Sequence, residues 1–242
     1  MERVENIGFG GMKLIQEPHE FCYGIDAVLL ADFAYSFNAD FRLAVDLGTG
    51  TGIIPFILSH KNDKARFIGI DVQESTIGMA RRSCAMNDLE PRMRFICDDV
   101  KNLNVNMWKE DNVDIVTCNP PYFPRGGGIP AGNKSRYIAR HETTASVEDF
   151  IKAAAAALKG RGDFFLVHRP SRLVDIFYFC RKHLLEPKDV RFVVPEKGAA
   201  PNIVLVHCVA GGGRQLRIME NLWVYEENGA YNDEIERIYE RK

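Results

Sequence analysis

Five short apolar runs recur between residues 43 and 168, and helical patterns separate them. The runs occupy 43–47, 67–70, 93–97, 113–118 and 163–168, and they are apolar almost throughout rather than at alternate positions. A strand that is apolar on both faces needs cover on both faces. Strands separated by helices pair in parallel. The intervening stretches 53–59, 74–87, 147–158 and 171–183 have helical spacing, and 26–37 reads as a helix after a compact, Gly-rich start. The last third changes character. Two strand patterns, 189–195 and 202–210, flank a Gly/Pro-containing connection, which predicts an antiparallel ending. A further extended piece at 215–225 and a short helix at 232–239 close the pattern. The expected architecture is a single α/β unit: an N-terminal cap segment over 1–40, packed on a core of mostly parallel sheet over 41–242.

Composition narrows the classes. The 242 residues carry 31 Lys and Arg against 33 Asp and Glu, a net charge of −2, so the whole molecule is not a basic nucleic-acid sponge. No stretch approaches the roughly 18 to 20 unbroken apolar residues of a membrane helix. The first residues lack the basic and apolar regions of a secretory signal. Six cysteines, at 22, 84, 97, 118, 180 and 208, include no Cys-x-x-Cys pair, which argues against a metal site of zinc spacing. They read as reduced thiols, and the expected compartment is the cytoplasm.

The run Val45-Asp46-Leu47-Gly48-Thr49-Gly50-Thr51-Gly52 takes a strand through three glycines into a helix. Glycines there permit a tight turn and let a ligand lie against bare main chain. A nicotinamide fingerprint needs Gly-x-Gly-x-x-Gly, and here the third glycine falls one position early, with Ile at 53. Asp46 also places a carboxylate where phosphates would be repelled. S-adenosylmethionine, with a sulfonium, an ammonium and no phosphate, suits that charge better. Asp71 ends the second strand at the distance where an acid binds ribose hydroxyls, with Val72 beside it. Asp98 or Asp99, ending the third, is placed to accept a hydrogen bond from an adenine amino group. Singly, these acids read equally well as turn or cap residues. At three successive strand ends they point to a cofactor.

The fourth strand runs into Asn119-Pro120-Pro121-Tyr122. Two prolines fix the main chain and hold carbonyls in set directions. An exocyclic adenine amine is a poor nucleophile because its lone pair is conjugated with the ring. The Asn119 side-chain oxygen and the Pro120 carbonyl can accept its two hydrogens, favouring a pyramidal nitrogen. Tyr122 offers a face for the base, a contact worth roughly 1 to 3 kcal/mol. The stretch 123–145 then reads as a long glycine-rich loop.

Together, Asp-x-Gly-x-Gly-x-Gly at 46–52 and Asn-Pro-Pro-Tyr at 119–122 resemble the S-adenosylmethionine-dependent amino methyltransferases. Within these, the chain is most similar to the bacterial tRNA adenine-N6 methyltransferases that modify valine tRNA next to its anticodon. The similarity covers nearly the full length, including Phe21 to Phe33, Ala139-Arg140-His141-Glu142, Val167 to Leu173 and Trp223 to Tyr231. It implies a Rossmann-like methyltransferase fold with a seven-stranded sheet. It also implies cofactor contacts from Asp46, Leu47, Gly48, Gly50, Gly52, Asp71, Val72, Asp99 and Asn119, with Asn119, Pro120, Pro121 and Tyr122 at the target amine, no metal, and a monomer acting on tRNA.

Charge favours an RNA partner. Residues 134–197 hold 13 Lys and Arg against 8 Asp and Glu, and Arg125, Lys134, Arg136, Arg140, Arg169 and Arg172 are candidate phosphate contacts. Arg140-His141-Glu142 reads as loop anchoring or substrate contact. Phe21, Tyr23 and Asp26 are candidates to wall the cofactor or the base, and Phe21 and Tyr23 read equally well as packing the first helix on the sheet. Three alternatives stand beside this reading. Protein-glutamine methyltransferases of the release-factor type share Asn-Pro-Pro-Tyr but carry a helical domain that the 45 residues before Asp46 cannot supply. The rRNA guanine-N2 enzymes usually have Phe after Pro-Pro. A non-catalytic RNA-binding protein would have no need of intact glycines, acids and Asn119.

Overall fold

The computed structural model describes residues 1–18, 23–108, 111–121 and 145–241. An antiparallel hairpin, β1 (Arg3–Asn6) and β2 (Lys13–Gln16), comes first. Then follow α1 (Ile25–Phe37), β3 (Leu43–Leu47), α2 (Ile53–Lys61), β4 (Arg66–Asp71), α3 (Glu74–Met86) and β5 (Met93–Cys97). The chain continues through β6 (Val113–Cys118), α4 (Val147–Ala157), β7 (Leu158–His168), α5 (Leu173–Lys182), β8 (Leu185–Val194) and β9 (Ile203–Ala210). It ends with β10 (Arg217–Ile218), β11 (Leu222–Trp223) and α6 (Asp233–Ile238).

One sheet runs in the order β10-β8-β9-β7-β6-β3-β4-β5, with β11 also paired to β8. Its seven long strands are the expected ones, and only β9 is antiparallel to its neighbours. Every residue of β3 and β6 is buried, as apolar parallel strands demand. One face packs under α1, α2, α3 and α6 through residues such as Leu30, Ile57, Ile77 and Ile235. The other packs under α4 and α5 through Phe150, Ile151, Ala154 and Ile176. A capping box starts α4: Ser146 Oγ accepts the Asp149 N–H at 3.3 Å, and Asp149 Oδ2 accepts the Ser146 N–H at 2.7 Å. Buried Ala153, Ala154 and Ala157 bring this helix close to the sheet. No described helix is long and apolar enough to cross a membrane.

Three features depart from the sequence reading. The N-terminal hairpin was legible only as a Gly-rich start. It is held on α3, where Asn87 Oδ1 accepts the Lys13 N–H at 2.9 Å and Ser83 Oγ accepts the Ile15 N–H at 2.9 Å. β7 begins at Leu158 rather than at 163, because Lys159 to Gly162 form an irregular strand segment, with Arg161 at φ +64° and a register shift against β6. β8 begins at Leu185 rather than at 189, and Pro187 sits at a register shift that breaks the strand pattern.

The chain builds β3, β4 and β5 outward in one direction and then returns to place β6 on the other side of β3. The crevice between the carboxyl ends of β3 and β6 is therefore the topological switch point, where open α/β sheets bind ligands. At the opposite end, Asp114 ties these same strands together. Its Oδ2 accepts the N–H groups of Arg42 at 2.7 Å and Leu43 at 3.1 Å, and Lys159 pairs with its Oδ1. Burial works to raise its pKa, but these donors outweigh burial and lower it. A carboxyl whose pKa is lower folded than unfolded stabilises the fold above its unfolded value, about 4, and loses that contribution as pH falls below it. Asp114→Ala is expected to cost about 2–3 kcal/mol at neutral pH, with the deficit shrinking below about pH 4. Urea unfolding of both proteins at pH 7 and pH 3 checks this; an equal deficit at both would refute it.

Candidate active site

The glycine loop leaves β3 and folds back over the end of β4. The Gly48 and Thr49 N–H groups both donate to the Ile70 carbonyl, at 2.8 and 3.0 Å. Asp71 completes the tether: Oδ2 accepts the Gly50 N–H at 2.9 Å and Oδ1 the Gln73 N–H at 3.0 Å. Burial raises the Asp71 pKa, and these backbone donors pull the other way. Gly50 and Gly52 sit at φ +55° and +89°. They differ in what surrounds them. A Cβ on Gly52 would lie 2.7 Å from Phe95 Cζ, whereas a Cβ on Gly50 would meet nothing within 4 Å. Gly52 is needed for packing, while Gly50 lines open space at the switch point.

Asp46 lies one step back along β3, 3% exposed, in register with Thr117 of β6. The Thr117 hydroxyl donates to Asp46 Oδ1 at 2.7 Å. Asp46 Oδ2 and Thr49 Oγ1 are buried and have no hydrogen-bond partner among the described residues. A buried carboxylate oxygen without a donor is costly and calls for one from outside the chain. Burial pushes the Asp46 carboxyl up to about 7. The Thr117 bond opposes that rise, the nearby Thr49 hydroxyl opposes it weakly without reaching bonding geometry, and the Asp71 carboxylate adds to it.

Other residues named from the sequence fall around this point. Val72 is 41% exposed at the end of β4, an apolar surface level with the loop. Leu47 is fully buried in the core under α4, so it contributes main chain only and its side chain is not a ligand contact. Asp98 Oδ1 accepts from the Asp99 N–H and the Asn102 side chain, both at 2.8 Å. Asp99 caps a short helical turn through the Lys101 N–H and pairs with the Lys101 ammonium at 3.2 Å. Both acids are partly buried on the same rim.

Asn119 and Pro120 continue β6 directly, so Asn119 stands beside the glycine loop; Pro120 is buried and Pro121 exposed. Arg169 and Arg172 lie in the turn after β7 on this rim. Arg169 Nη1 donates to the Asn202 carbonyl at 2.9 Å, and Arg172 Nε pairs with Asp175 at 2.8 Å. Tyr23 packs partly buried on the core, in keeping with the packing reading, and Asp26 Oδ1 accepts the Ala27 N–H at 3.0 Å. Tyr122, Arg125, Lys134, Arg136, Arg140, His141, Glu142 and Phe21 lie outside the described residues.

Two members of the site escaped sequence reasoning. Thr117 is the polar residue of an otherwise apolar strand end, and its role follows only from its register with Asp46. Thr49 stands between two glycines and reads as a spacer. Among the described residues no group of three or more His, Cys, Asp or Glu side chains gathers as a metal site.

The donor set fits the cation expected here. An unpartnered carboxylate oxygen on Asp46, bare main chain at Gly50 and the apolar Val72 match an ammonium, a sulfonium and an adenine better than a phosphate. Residues 26–175 match the model of the methyltransferase small domain. The chain belongs to that family. A relative in Bacteroides thetaiotaomicron named tRNA1(Val) (adenine(37)-N6)-methyltransferase is 29% identical over 78% of each chain. A crystal structure of a predicted O-methyltransferase from Agrobacterium tumefaciens superposes with a TM-score of 0.69 at 23% identity, covering 89% of this chain and 95% of that one. The Thermus thermophilus 16S rRNA N2 G1207 methyltransferase, solved with AdoMet and guanosine, gives 0.60 at 17% identity over 86% of this chain and 50% of its own. The family thus shares the fold whose switch point carries Asp46 and Asn119.

Two outcomes follow from the loop. A cation bound at Asp46 needs the ionised carboxylate, so affinity for S-adenosylmethionine is expected to rise as pH increases through about 7 and then level off. Calorimetry between pH 5.5 and 8.5 should show this for the wild type and a flat profile for Asp46→Asn; a flat wild-type profile would sink the assignment. Gly50→Ala should cost about 1–2 kcal/mol of stability through its positive φ and block the cofactor, whereas Gly52→Ala should fail to fold stably because its methyl meets Phe95. Thermal melts with and without cofactor separate the two.

Proposed function

We propose that this chain transfers a methyl group from S-adenosylmethionine to the exocyclic N6 amine of an adenine in tRNA, beside the anticodon of valine tRNA. The observation that carries the reading is the pairing of an unpartnered carboxylate oxygen at Asp46 with Asn119-Pro120 on the adjoining strand end. The name and coverage of the Bacteroides relative support the substrate.

The cofactor supplies a methyl carbon activated by a positive sulfur. Asp46 holds its ammonium, Asp71 and Asp99 its ribose and adenine, and Val72 flanks the ring. The Gly48–Gly52 main chain lies against it. Asn119 Oδ1 and the Pro120 carbonyl accept the two hydrogens of the target amine. This draws the nitrogen lone pair out of conjugation and aims it at the methyl carbon. Fixed acceptors of this kind act without reorganising during reaction. The methylated amine sheds its extra proton to water, so no strong base is required. Tyr122 stacks the flipped base, and Arg125, Lys134, Arg136, Arg140, Arg169 and Arg172 follow the phosphates. Residues 1–40 serve as a cap on the catalytic core of 41–242, and the protein works as a cytoplasmic monomer.

The test incubates labelled S-adenosylmethionine with total tRNA and, separately, total protein from a bacterial extract. Label recovered as N6-methyladenosine in tRNA is expected. Asn119→Ala should reduce the rate by about 100- to 1000-fold. Label appearing as methylglutamine in protein instead would overturn the RNA assignment.

A further inference from the structure

A carboxylate that is to bind a ligand ammonium must keep one oxygen free and must keep its charge. At Asp46 both conditions fall to a residue of the adjoining strand. β6 sets Thr117 opposite Asp46 in register, and Thr117 is paired with Phe165 of β7 on its other edge, so its main chain is fixed from both sides. Ala44 and Ile115, two residues before Asp46 and Thr117, pack in the core under α1, α2, α3 and α6. Strand alternation therefore puts both side chains on that face. There the Thr117 hydroxyl donates to Asp46 Oδ1 at 2.7 Å.

That bond divides the carboxylate. Oδ1 is taken by Thr117, whereas Oδ2 is buried and has no partner among the described residues. Thr117 is fully buried, so the bond lies away from bulk water. A hydroxyl that donates to a carboxylate favours the ionised form, because the protonated acid offers it less charge. The other groups around Asp46 do not replace it. The Thr49 hydroxyl of the loop is near but not bonded, and the Asp71 carboxylate of β4 opposes ionisation. Cys118, next along β6, is buried, and its thiol is pushed well up by burial first and then by Asp46. Of the helices on that face, α1 brings Asp26 in its first turn, and α2 has no titratable residue before its last turn.

We propose that Thr117 is a positioning residue for cofactor binding: its hydroxyl holds Asp46 ionised and leaves Oδ2 as the oxygen that meets the ammonium of S-adenosylmethionine. The counterion of the cofactor is thus set from β6, the strand that runs on into Asn119. The inference rests on the cofactor reading of Asp46 and is independent of the methyl acceptor.

Thr117→Val puts a methyl in place of the hydroxyl on the same branched frame, and Thr117→Ser keeps the hydroxyl. The probe is S-adenosylhomocysteine, which has the ammonium without the sulfonium, titrated by calorimetry between pH 5.5 and 8.5. Its affinity for the wild type is expected to rise through about pH 7. Loss of the Thr117 bond favours the protonated acid. In Thr117→Val the midpoint of that rise should therefore move up by about one pH unit, with affinity at pH 7 about fivefold lower. Thr117→Ser should follow the wild type. Methylthioadenosine, which lacks the ammonium, should bind all three proteins alike. With no ligand present, the Asp46 carboxyl carbon followed by 13C spectra should titrate at higher pH in Thr117→Val than in the other two. An unmoved midpoint in Thr117→Val, a Thr117→Ser that behaves like it, or an equal loss of methylthioadenosine affinity would each overturn the role. A pH-independent wild-type affinity, beside a carboxyl titration displaced only in Thr117→Val, would overturn the cofactor reading of Asp46 while upholding the hold of Thr117 on its charge.

Discussion

The Gly48–Gly52 loop depends on being anchored to the strand next door rather than to its own. Ile70 and Asp71 on β4 take the N–H groups of Gly48, Thr49 and Gly50. These bonds exist only because β3 and β4 are parallel neighbours with their ends level. Remove the pairing and the loop has no shape. With it, three N–H groups are satisfied inside the protein and the Gly50 backbone is held against open space. Each Asp71 oxygen thus accepts one backbone N–H and keeps acceptor capacity for a further donor.

Much of this was legible in the sequence, for identifiable reasons. The strands at 43–47, 93–97 and 113–118 coincide with β3, β5 and β6 because buried parallel strands leave an unbroken apolar signal. Asp46, the glycines and Asp71 stood out because a tight turn off β3 with its tether on β4 fixes both residue type and spacing. The remainder was hidden by register. Thr117 is an ordinary strand threonine until β6 is laid against β3. Leu47 differs from its motif neighbours: alternation along β3 turns its side chain into the core, leaving only its main chain on the loop side. The starts of β7 and β8 were obscured by glycines and a proline that mark irregular pairing rather than the end of a strand.

The two halves of the site differ in how they are stiffened. The cofactor side is held by backbone donors on a carboxylate and a carbonyl, a dense and local arrangement. The acceptor side gives up backbone bonding through two prolines and gains fixed geometry from ring constraint and burial. Ring constraint limits the backbone there where strand hydrogen bonds cannot, which suits the role proposed for the Pro120 carbonyl.

The antiparallel β9 carries a consequence for how the chain is made. It inserts between β7 and β8, so β8 joins the sheet only through a strand that follows it in sequence. While the polypeptide is still emerging from a ribosome, β7 presents an unprotected edge until residues 203–210 become available. The amide groups that later pair with β9 are then a template for any passing strand, including one from another nascent copy. Completion of this sheet is a late, non-local event, so nascent chains are most exposed to mispairing in the interval between synthesis of β7 and that of β9.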